Sequence, residues 1–265
     1  MNFSHVAPSP PQIRVLLDKH REWVESDGKK GEQANLQGAN LNRAELQSAC
    51  LSRANLSEAT LSGARLQEAD LSWALLQRGK LYQANFRGAN LDHADLNGAG
   101  LQNANLQGAS LREADLAPAD LELADLTGAD LSGAQLLQAN LRGANFKNAR
   151  AIGADLRRAN LQEANLINAD LRKANLRGAD LRGANLQGAN LENANLQSAK
   201  LQKADLVKAN LTGANLVKAK MQETDLYKVE FQNADLRGAD LRKAVGFTTR
   251  NLETAITDEK TKIRD

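Results

Sequence analysis

The stretch ANLQGANLENANLQS, residues 184–198, holds three copies of one five-residue unit. Outward from it, the same period continues without a slip from Ala34 to Ala244. The chain has 42 such units; the central residue is Leu in 37 of them, and the residue two places earlier is Ala in 39. The residue between these two is Asn or Asp in 29 of the 42 units, and the last two positions vary. The unit is therefore Ala-(Asn/Asp)-Leu-x-x, and its period constrains the backbone.

A period of five fits neither a regular helix nor a flat strand. On an α-helix, five residues advance about 140° beyond a full turn, so the leucines would spread around the axis. On a strand, Ala and Leu share a face, but an odd period sends the next Leu to the opposite face. The chain keeps Leu on one side only by turning a corner in every unit, for which the recurring Gly at the last position is suited. We predict a stacked coil with Ala and Leu inside; the period alone leaves three or four sides open.

The registered Ala-(Asn/Asp)-Leu-x-x units over residues 34–244 resemble the pentapeptide repeat family. The resemblance implies an all-β solenoid, a right-handed quadrilateral β-helix with four units per coil. It implies about 10 coils, which at about 4.8 Å between neighbouring strands make a rod of about 50 Å. Ahead of the repeats, Leu17-x-x-His20-x-x-Trp23 also resembles the lead-in segment of bacterial members. We expect the Asn/Asp column to be structural, bonding to backbone groups at the corners.

The flanking segments predict caps for the two ends of the rod. We divide the chain into a flexible tail (1–10), an N-terminal helical cap (11–33), the β-helix (34–244) and a C-terminal cap (245–265). In the N-terminal cap, apolar residues recur at helical spacing over residues 11–25. In the C-terminal cap, Thr249 is placed to cap a short helix, and an extended segment is expected to follow it.

Composition and motifs argue against several classes of protein. The net charge of +2 is neither that of a histone-like cation nor that of an acidic DNA mimic. Cys50 is the single cysteine, which excludes a disulfide framework and a Cys-based zinc site. The sequence has no apolar run of about 18 residues and no secretory signal, so we expect a cytoplasmic protein without a membrane contact.

Residues that carry catalysis or bind metals are scarce. We expect His20 to pack in the cap helix and His93, near Asp92 and Asp95, to be an outward side chain without a catalytic role. Four aspartates occupy consecutive Asn/Asp positions: Asp115, Asp120, Asp125 and Asp130. With four units per coil they form a belt around the rod and cannot converge on a cation. We predict no enzyme activity, no cofactor and no metal site.

Charge is uneven along the chain, with a net of −6 over residues 31–141 and +7 over residues 142–243. Stacked basic and apolar side chains in the second half suggest a partner surface. Its candidate residues are Arg157, Arg158, Arg177, Lys208, Lys228, Ile167, Val207 and Tyr227. The alternative is a solvated face that keeps a repetitive protein in solution.

The sequence favours a non-enzymatic protein-binding or scaffold rod. The expected partner is another protein, or a second copy bound through a rod end. Direct nucleic-acid binding is not expected, because no aromatic side chains alternate with the stacked basic residues. A passive structural or stress-related protein with no single partner remains an alternative. So does a DNA-mimic regulator of DNA gyrase, which the resemblance to quinolone-resistance members suggests. A ~50 Å mimic needs about 30 net negative charges, so the net charge of +2 disfavours that reading, as does the lack of loops interrupting the repeats.

Overall fold

The rod is held together by single-residue β-bridges between stacked coils. The computed structural model describes residues 7–263, apart from the side chains of Thr249 and Arg250. Parallel bridges run from Asn35↔Asn55 to Asp225↔Val245, each joining residues 20 positions apart. Because the unit has five residues, four units make one coil. The chain is a right-handed quadrilateral β-helix, as the family resemblance implied.

We number the four sides by the bridged residues of the first coil: Asn35 for side 1, Asn40 for side 2, Glu45 for side 3 and Cys50 for side 4. Each corner takes the numbers of the two sides that it joins. Corner 1–2 begins with residues 37 and 38, and corner 3–4 with residues 47 and 48. Every later coil adds 20 to these numbers. Corners 1–2 and 3–4 are therefore diagonally opposite.

A β-turn forms each corner. In the first coil, the Ala39 N–H donates to the Leu36 carbonyl over 3.0 Å, which closes a turn around Gln37 and Gly38. The second central residue has a positive φ at every corner except that of Pro118, which follows a cis peptide bond; the angle is 64° at Gly38 and 58° at Arg43, as a type II turn requires. Non-glycine residues adopt this conformation at 27 corners. The stacking of coils, more than glycine, therefore imposes the corner.

The Ala and Leu columns line the inside of the rod, as predicted. Leu96 and Leu196, on the same side five coils apart, are 0% and 1% exposed. Three phenylalanines replace Leu in the same column and are equally buried: Phe86, Phe146 and Phe231. Each buried Leu contributes roughly 1.5–3 kcal/mol. The core is thin but continuous along the rod.

The Asn/Asp column supports the corners. The Asn145 Oδ1 atom accepts from the backbone N–H of Lys147 at 3.2 Å, and the same relation recurs along the rod. Stacked asparagines also bond between coils: the Asn165 side-chain amide donates to Asn145 Oδ1 at 3.0 Å. These contacts confirm the predicted structural role of the column.

Helix α1 spans Pro10–Glu25 and precedes the first coil. It begins one residue earlier than predicted, because the Ser9 N–H donates to the Gln12 side chain at 2.8 Å and prolines fit the first turn. Pro10 is therefore helical and not part of the predicted tail, of which residues 1–6 lie outside the described residues. The helix ends where the Gly28 N–H donates to the Trp23 carbonyl at 2.8 Å.

Helix α1 is anchored to the first coil through a buried histidine. The Ala34 N–H donates to His20 Nδ1 at 3.0 Å, and the Glu32 N–H donates to the Lys19 carbonyl at 3.1 Å. Gly31 is required at this junction, since a Cβ there would lie 2.0 Å from the Lys19 oxygen. His20 is fully buried and stacks on Trp23 with 5.7 Å between ring centroids. Burial lowers the pKa of His20, which favours the neutral ring that accepts this bond.

The C-terminal segment continues the rod after a helical interruption. Helix α2 spans Thr249–Glu253, and its N-cap is Thr248, not Thr249 as predicted, because the Thr248 hydroxyl accepts from the Asn251 N–H. Beyond α2, Ile256 bridges to Asp235 and Lys262 bridges to Asp240. These pairs are separated by 21 and 22 positions, so α2 lengthens the last coil without ending the sheet on sides 1 and 2.

Candidate functional site

The eight candidate residues of the partner surface divide between two opposite corners. Arg157, Arg158 and Arg177 lie along corner 1–2. The remaining candidates lie along corner 3–4: Ile167, Val207, Lys208, Tyr227 and Lys228. The two groups are half a coil apart in sequence register, so they face away from each other. They cannot form one continuous surface.

On corner 1–2, the arginines differ in their partners. The Arg157 guanidinium donates to Asp155 through Nε at 2.7 Å, and this bond lowers the pKa of the Asp155 carboxyl. Within residues 7–263, Arg158 and Arg177 form no ion pair, and both are exposed. The residue two places before Arg177 is Asn175, which cannot neutralise it. Arg157 is therefore an internally paired residue, whereas Arg158 and Arg177 are available to a partner.

On corner 3–4, the apolar side chains do not form a continuous patch. Ile167 and Val207 are half-buried, and Tyr227 is 51% exposed with Lys228 Nζ 5.2 Å from its ring centroid. The position between the first two is Gln187, whose amide donates to Asp205 at 2.6 Å. A polar side chain thus interrupts the column of stacked apolar residues on corner 3–4.

The residue two places earlier decides whether an arginine at the first corner position pairs within its own unit. Where the unit reads Asp-Leu-Arg, the guanidinium bonds to the Asp of its own unit; the pairs are Arg157–Asp155, Arg172–Asp170, Arg182–Asp180, Arg237–Asp235 and Arg242–Asp240. The side-chain bond from Arg242 lowers the pKa of Asp240 to about 2. Where Asn replaces Asp, as in Asn175-Leu-Arg177, no such pair forms in the described chain.

Two unpaired lysines, one on corner 1–2 and one on the adjoining side 2, add to the available charge and were absent from the sequence-based set. Lys218 lies on that corner, and Lys220 lies two residues later on side 2, bridged to Lys200. Lys218 and Lys220 are exposed and form no ion pair within residues 7–263, whereas Lys200 Nζ is 3.3 Å from Asp180. The stacking of Lys200 and Lys220 was evident from the 20-residue register. The location of Lys218 beside them could have been found in the same way.

The net charge differs between opposite strips of the second half. The strip of sides 1 and 2 with their corner, from Asp155 to Asp240, carries seven cations and four acids, a net of +3. The opposite strip of sides 3 and 4 with their corner, from Asn145 to Glu230, carries four of each, a net of zero. We call the first the cationic strip. The cationic strip therefore carries +3 of the +7 of the second half, whereas the opposite strip carries none of it.

His93 does not pair with either of the neighbouring aspartates. Its Nδ1 is 3.3 Å from Glu113, one coil away, and its ring stacks on Trp73 at 4.1 Å. Asp92 instead binds the Arg112 guanidinium, and Asp95 accepts from the Gln77 amide at 2.6 Å. The stack of Trp73 and His93 joins residues 20 apart and was not anticipated, although the register predicts it.

The aspartate belt has one member on each side, as the four-unit coil requires. The Oδ1 atoms of Asp115 and Asp120 accept backbone N–H groups two residues later at 3.0 and 3.1 Å. Asp125 and Asp130 do the same. Over residues 7–263, no group of three or more His, Cys, Asp or Glu side chains is arranged to hold a metal ion. In the same part of the chain, neither helix is long and apolar enough to cross a membrane.

Comparison with known proteins identifies relatives of this architecture. A family model described as pentapeptide repeats matches residues 32–242 in 8 copies. HetL from the cyanobacterium Nostoc sp. strain PCC 7120, a pentapeptide repeat protein involved in heterocyst differentiation regulation, is 31% identical. That similarity covers 97% of this chain and 94% of HetL, with a TM-score of 0.45. No curated protein matches the sequence.

Two further solved structures are similar to the chain. Rfr23, a pentapeptide repeat protein from the cyanobacterium Cyanothece 51142, is 30% identical over 43% of this chain and 90% of its own, with a TM-score of 0.38. QnrB1, a plasmid-mediated fluoroquinolone resistance protein, is 20% identical over 76% of this chain and 90% of its own, with a TM-score of 0.41.

Proposed function

Because the chain belongs to the pentapeptide repeat family, we propose that it is a non-enzymatic rod that binds another protein through its outward side chains. The observation that supports this is the contrast between inside and outside. The inward Ala and Leu columns are nearly invariant along the rod, whereas the outward corner positions vary and give opposite strips a net charge of +3 and zero. A rigid scaffold with a different surface on each flank is suited to recognition.

Site-specific photo-crosslinking in the native host tests this proposal. One coil offers four equivalent positions, the second corner residue on each corner: Arg158, Glu163, Asn168 and Lys173. A photoreactive amino acid at each position reports on one flank at the same height. We expect a discrete protein adduct from one or two of the four positions. Four variants that fold and yield no adduct would argue against a protein-binding role.

An enzymatic role is the first alternative to exclude. We propose that His93 acts only in packing, since it contacts Trp73 and Glu113. A broad hydrolase screen should show no turnover. Turnover that disappears on His93→Gln would contradict the non-enzymatic assignment.

The proposal includes a cytoplasmic location and a homodimer through a rod end. Support for the homodimer comes from exposed apolar side chains beyond the last full coil, Val245 at 57% and Ile256 at 50%. Sedimentation should show a dimer that Ile256→Asp weakens. Val15→Asp in α1, at the other end, is the matched control because Val15 is 48% exposed. A monomer at all concentrations would exclude the dimer while leaving the partner-binding rod in place.

A further inference from the structure

The cationic strip contains a file of basic side chains with one or more in each of four successive coils. In order along the rod these are Arg158, Arg177, Lys200, and then Lys218 with Lys220. Neighbouring coils are about 4.8 Å apart, so the file extends over about 14 Å. All five side chains are exposed, and only Lys200 has an ion-pair partner in the described chain.

The acids that flank this file are already engaged by other cations. On side 1, Asp155 binds Arg157 and Asp235 binds Arg237. On side 2, Asp180 binds Arg182 as well as Lys200.

The fourth flanking acid, Asp240 on side 2, binds Arg242. Corner 1–2 itself has no acidic residue from Leu137 to Gly238. Apart from that of Lys200, the positive charge of the file is therefore not paired with these acids, and an acidic partner would find charge complementarity there.

From this geometry we propose that the cationic strip, between Arg158 and Lys220, binds an extended acidic polypeptide segment. The inference rests on the proposed protein-binding function and names the surface and the partner chemistry. In an extended peptide, carboxylates on one face recur about every 6.8 Å. The cations of the file are spaced by the ~4.8 Å between coils, and their flexible Arg and Lys side chains can reach carboxylates at the wider spacing of the peptide.

A polypeptide fits this strip better than a nucleic acid does. Corner 1–2 presents no aromatic side chain from Leu137 to Gly238, so it lacks a stacking platform for bases. A nucleic acid also carries a charge at every phosphate of its backbone. A peptide places its charge only at the ends of its side chains.

Opposite corners supply a matched pair of variants for the test. The first is Arg158→Glu, Arg177→Glu and Lys218→Glu on corner 1–2. The control is Lys147→Glu, Lys208→Glu and Lys228→Glu on corner 3–4. Each triple changes one first-position and two second-position corner residues, all exposed, and each alters the net charge equally. Circular dichroism checks folding, and Arg158→Gln with Lys218→Gln serves if the first triple does not fold.

The probe is a fluorescein-labelled poly-glutamate peptide of twelve or so residues, titrated by anisotropy at low salt. We expect the wild type to bind, the corner 1–2 triple to lose at least about tenfold in affinity, and the corner 3–4 triple to retain most of it. Absence of wild-type binding, or equal losses in the two triples, would overturn the inference. Either result leaves the photo-crosslinking test of the proposed function intact, so the two failures are distinguishable.

Two further measurements assign the surface to another occupant if the inference is wrong. A labelled single-stranded DNA of the same length that binds more tightly than the peptide, and loses that binding in the corner 1–2 triple, would assign it to a nucleic acid. A salt-sensitive dimer that the same triple abolishes would assign it to the acidic half of a second copy. We expect weaker DNA binding and no change in oligomeric state.

Discussion

The two halves of the rod have the same core but different surface chemistry. In the half up to residue 141, six aspartates occupy the Asn/Asp column and none is followed two places later by Arg: Asp70, Asp95, Asp115, Asp120, Asp125 and Asp130. In the half from residue 142, five of seven are followed by Arg, and each of the five forms an ion pair. The second half thus neutralises part of its own positive charge. The difference teaches that net charge overstates the charge available to a partner.

Core substitutions should have the same effect in both halves, and this is the largest effect that we expect. Leu96→Ala and Leu196→Ala each remove a buried side chain from side 1, so each should cost about 2–5 kcal/mol of unfolding free energy. Urea denaturation followed by circular dichroism measures both. A cost well below about 2 kcal/mol in either variant would show that its leucine does not pack in the shared core.

Removing a paired aspartate should release cations only in the second half. Asp180→Asn frees both Arg182 and Lys200, whereas Asp120→Asn, on the same side in the first half, frees none. The two variants change the net charge equally. The Asp180 variant should therefore elute at higher salt from a cation-exchange column. Identical elution would mean that paired and unpaired cations are equally available.

The stability contributed by one ion pair of the second half should depend on pH. The bond from Arg242 lowers the pKa of Asp240 to about 2, below its usual value of 3.8. This pair therefore contributes stability that is fully present above about pH 4 and is lost as the pH falls through about 2. Arg242→Gln should raise the pKa of Asp240, measured by carboxyl NMR, and be less stable than the wild type only above about pH 2. A stability difference that persists unchanged below that pH would contradict the pairing.

The smallest expected effect is on peptide binding, when a substitution creates a new ion pair within one unit. Asn175→Asp turns Asn-Leu-Arg into Asp-Leu-Arg, so Arg177 should become paired and poly-glutamate should bind about two- to threefold more weakly. Asn195→Asp, one coil further on the same side, is the control because Gln197 follows it. The stability gain should stay below about 1 kcal/mol, as for other exposed pairs. A control with an equal loss of binding would show that added negative charge, and not pairing, is responsible.

Most of the fold was predictable because the sequence constrains it in every unit. The repeated Ala and Leu positions identified the inward columns, and the bridges between residues 20 apart show which outward residues stack. That register also predicts contacts that single residues do not suggest, such as those between Trp73 and His93 and between His93 and Glu113. The same 20-residue register places Arg157 and Ile167 half a coil apart. The sequence-based candidate surface grouped them together and did not take this into account.

The parts that were not predictable depend on side-chain geometry at the corners and ends. The conformation of the turn brings Arg157 back to Asp155 within one unit, and periodicity gives no information about this. At the C-terminus, α2 adds one and then two residues to the spacing of the bridges of Ile256 and Lys262. Such offsets arise from the packing of one helix. Because they occur outside the repeats, the periodicity of the sequence cannot predict them.

The four-sided coil also limits how this protein can change in length during evolution. Insertion or deletion of a single unit between Arg177 and Lys218 would keep the core intact but rotate everything downstream by a quarter turn, which would carry Lys218 away from Arg158 and Arg177. Only whole coils of 20 residues can be gained or lost while every flank keeps its alignment. The core of such a rod therefore tolerates the duplication of any number of units. A binding surface that runs along one flank is preserved only when units are duplicated four at a time.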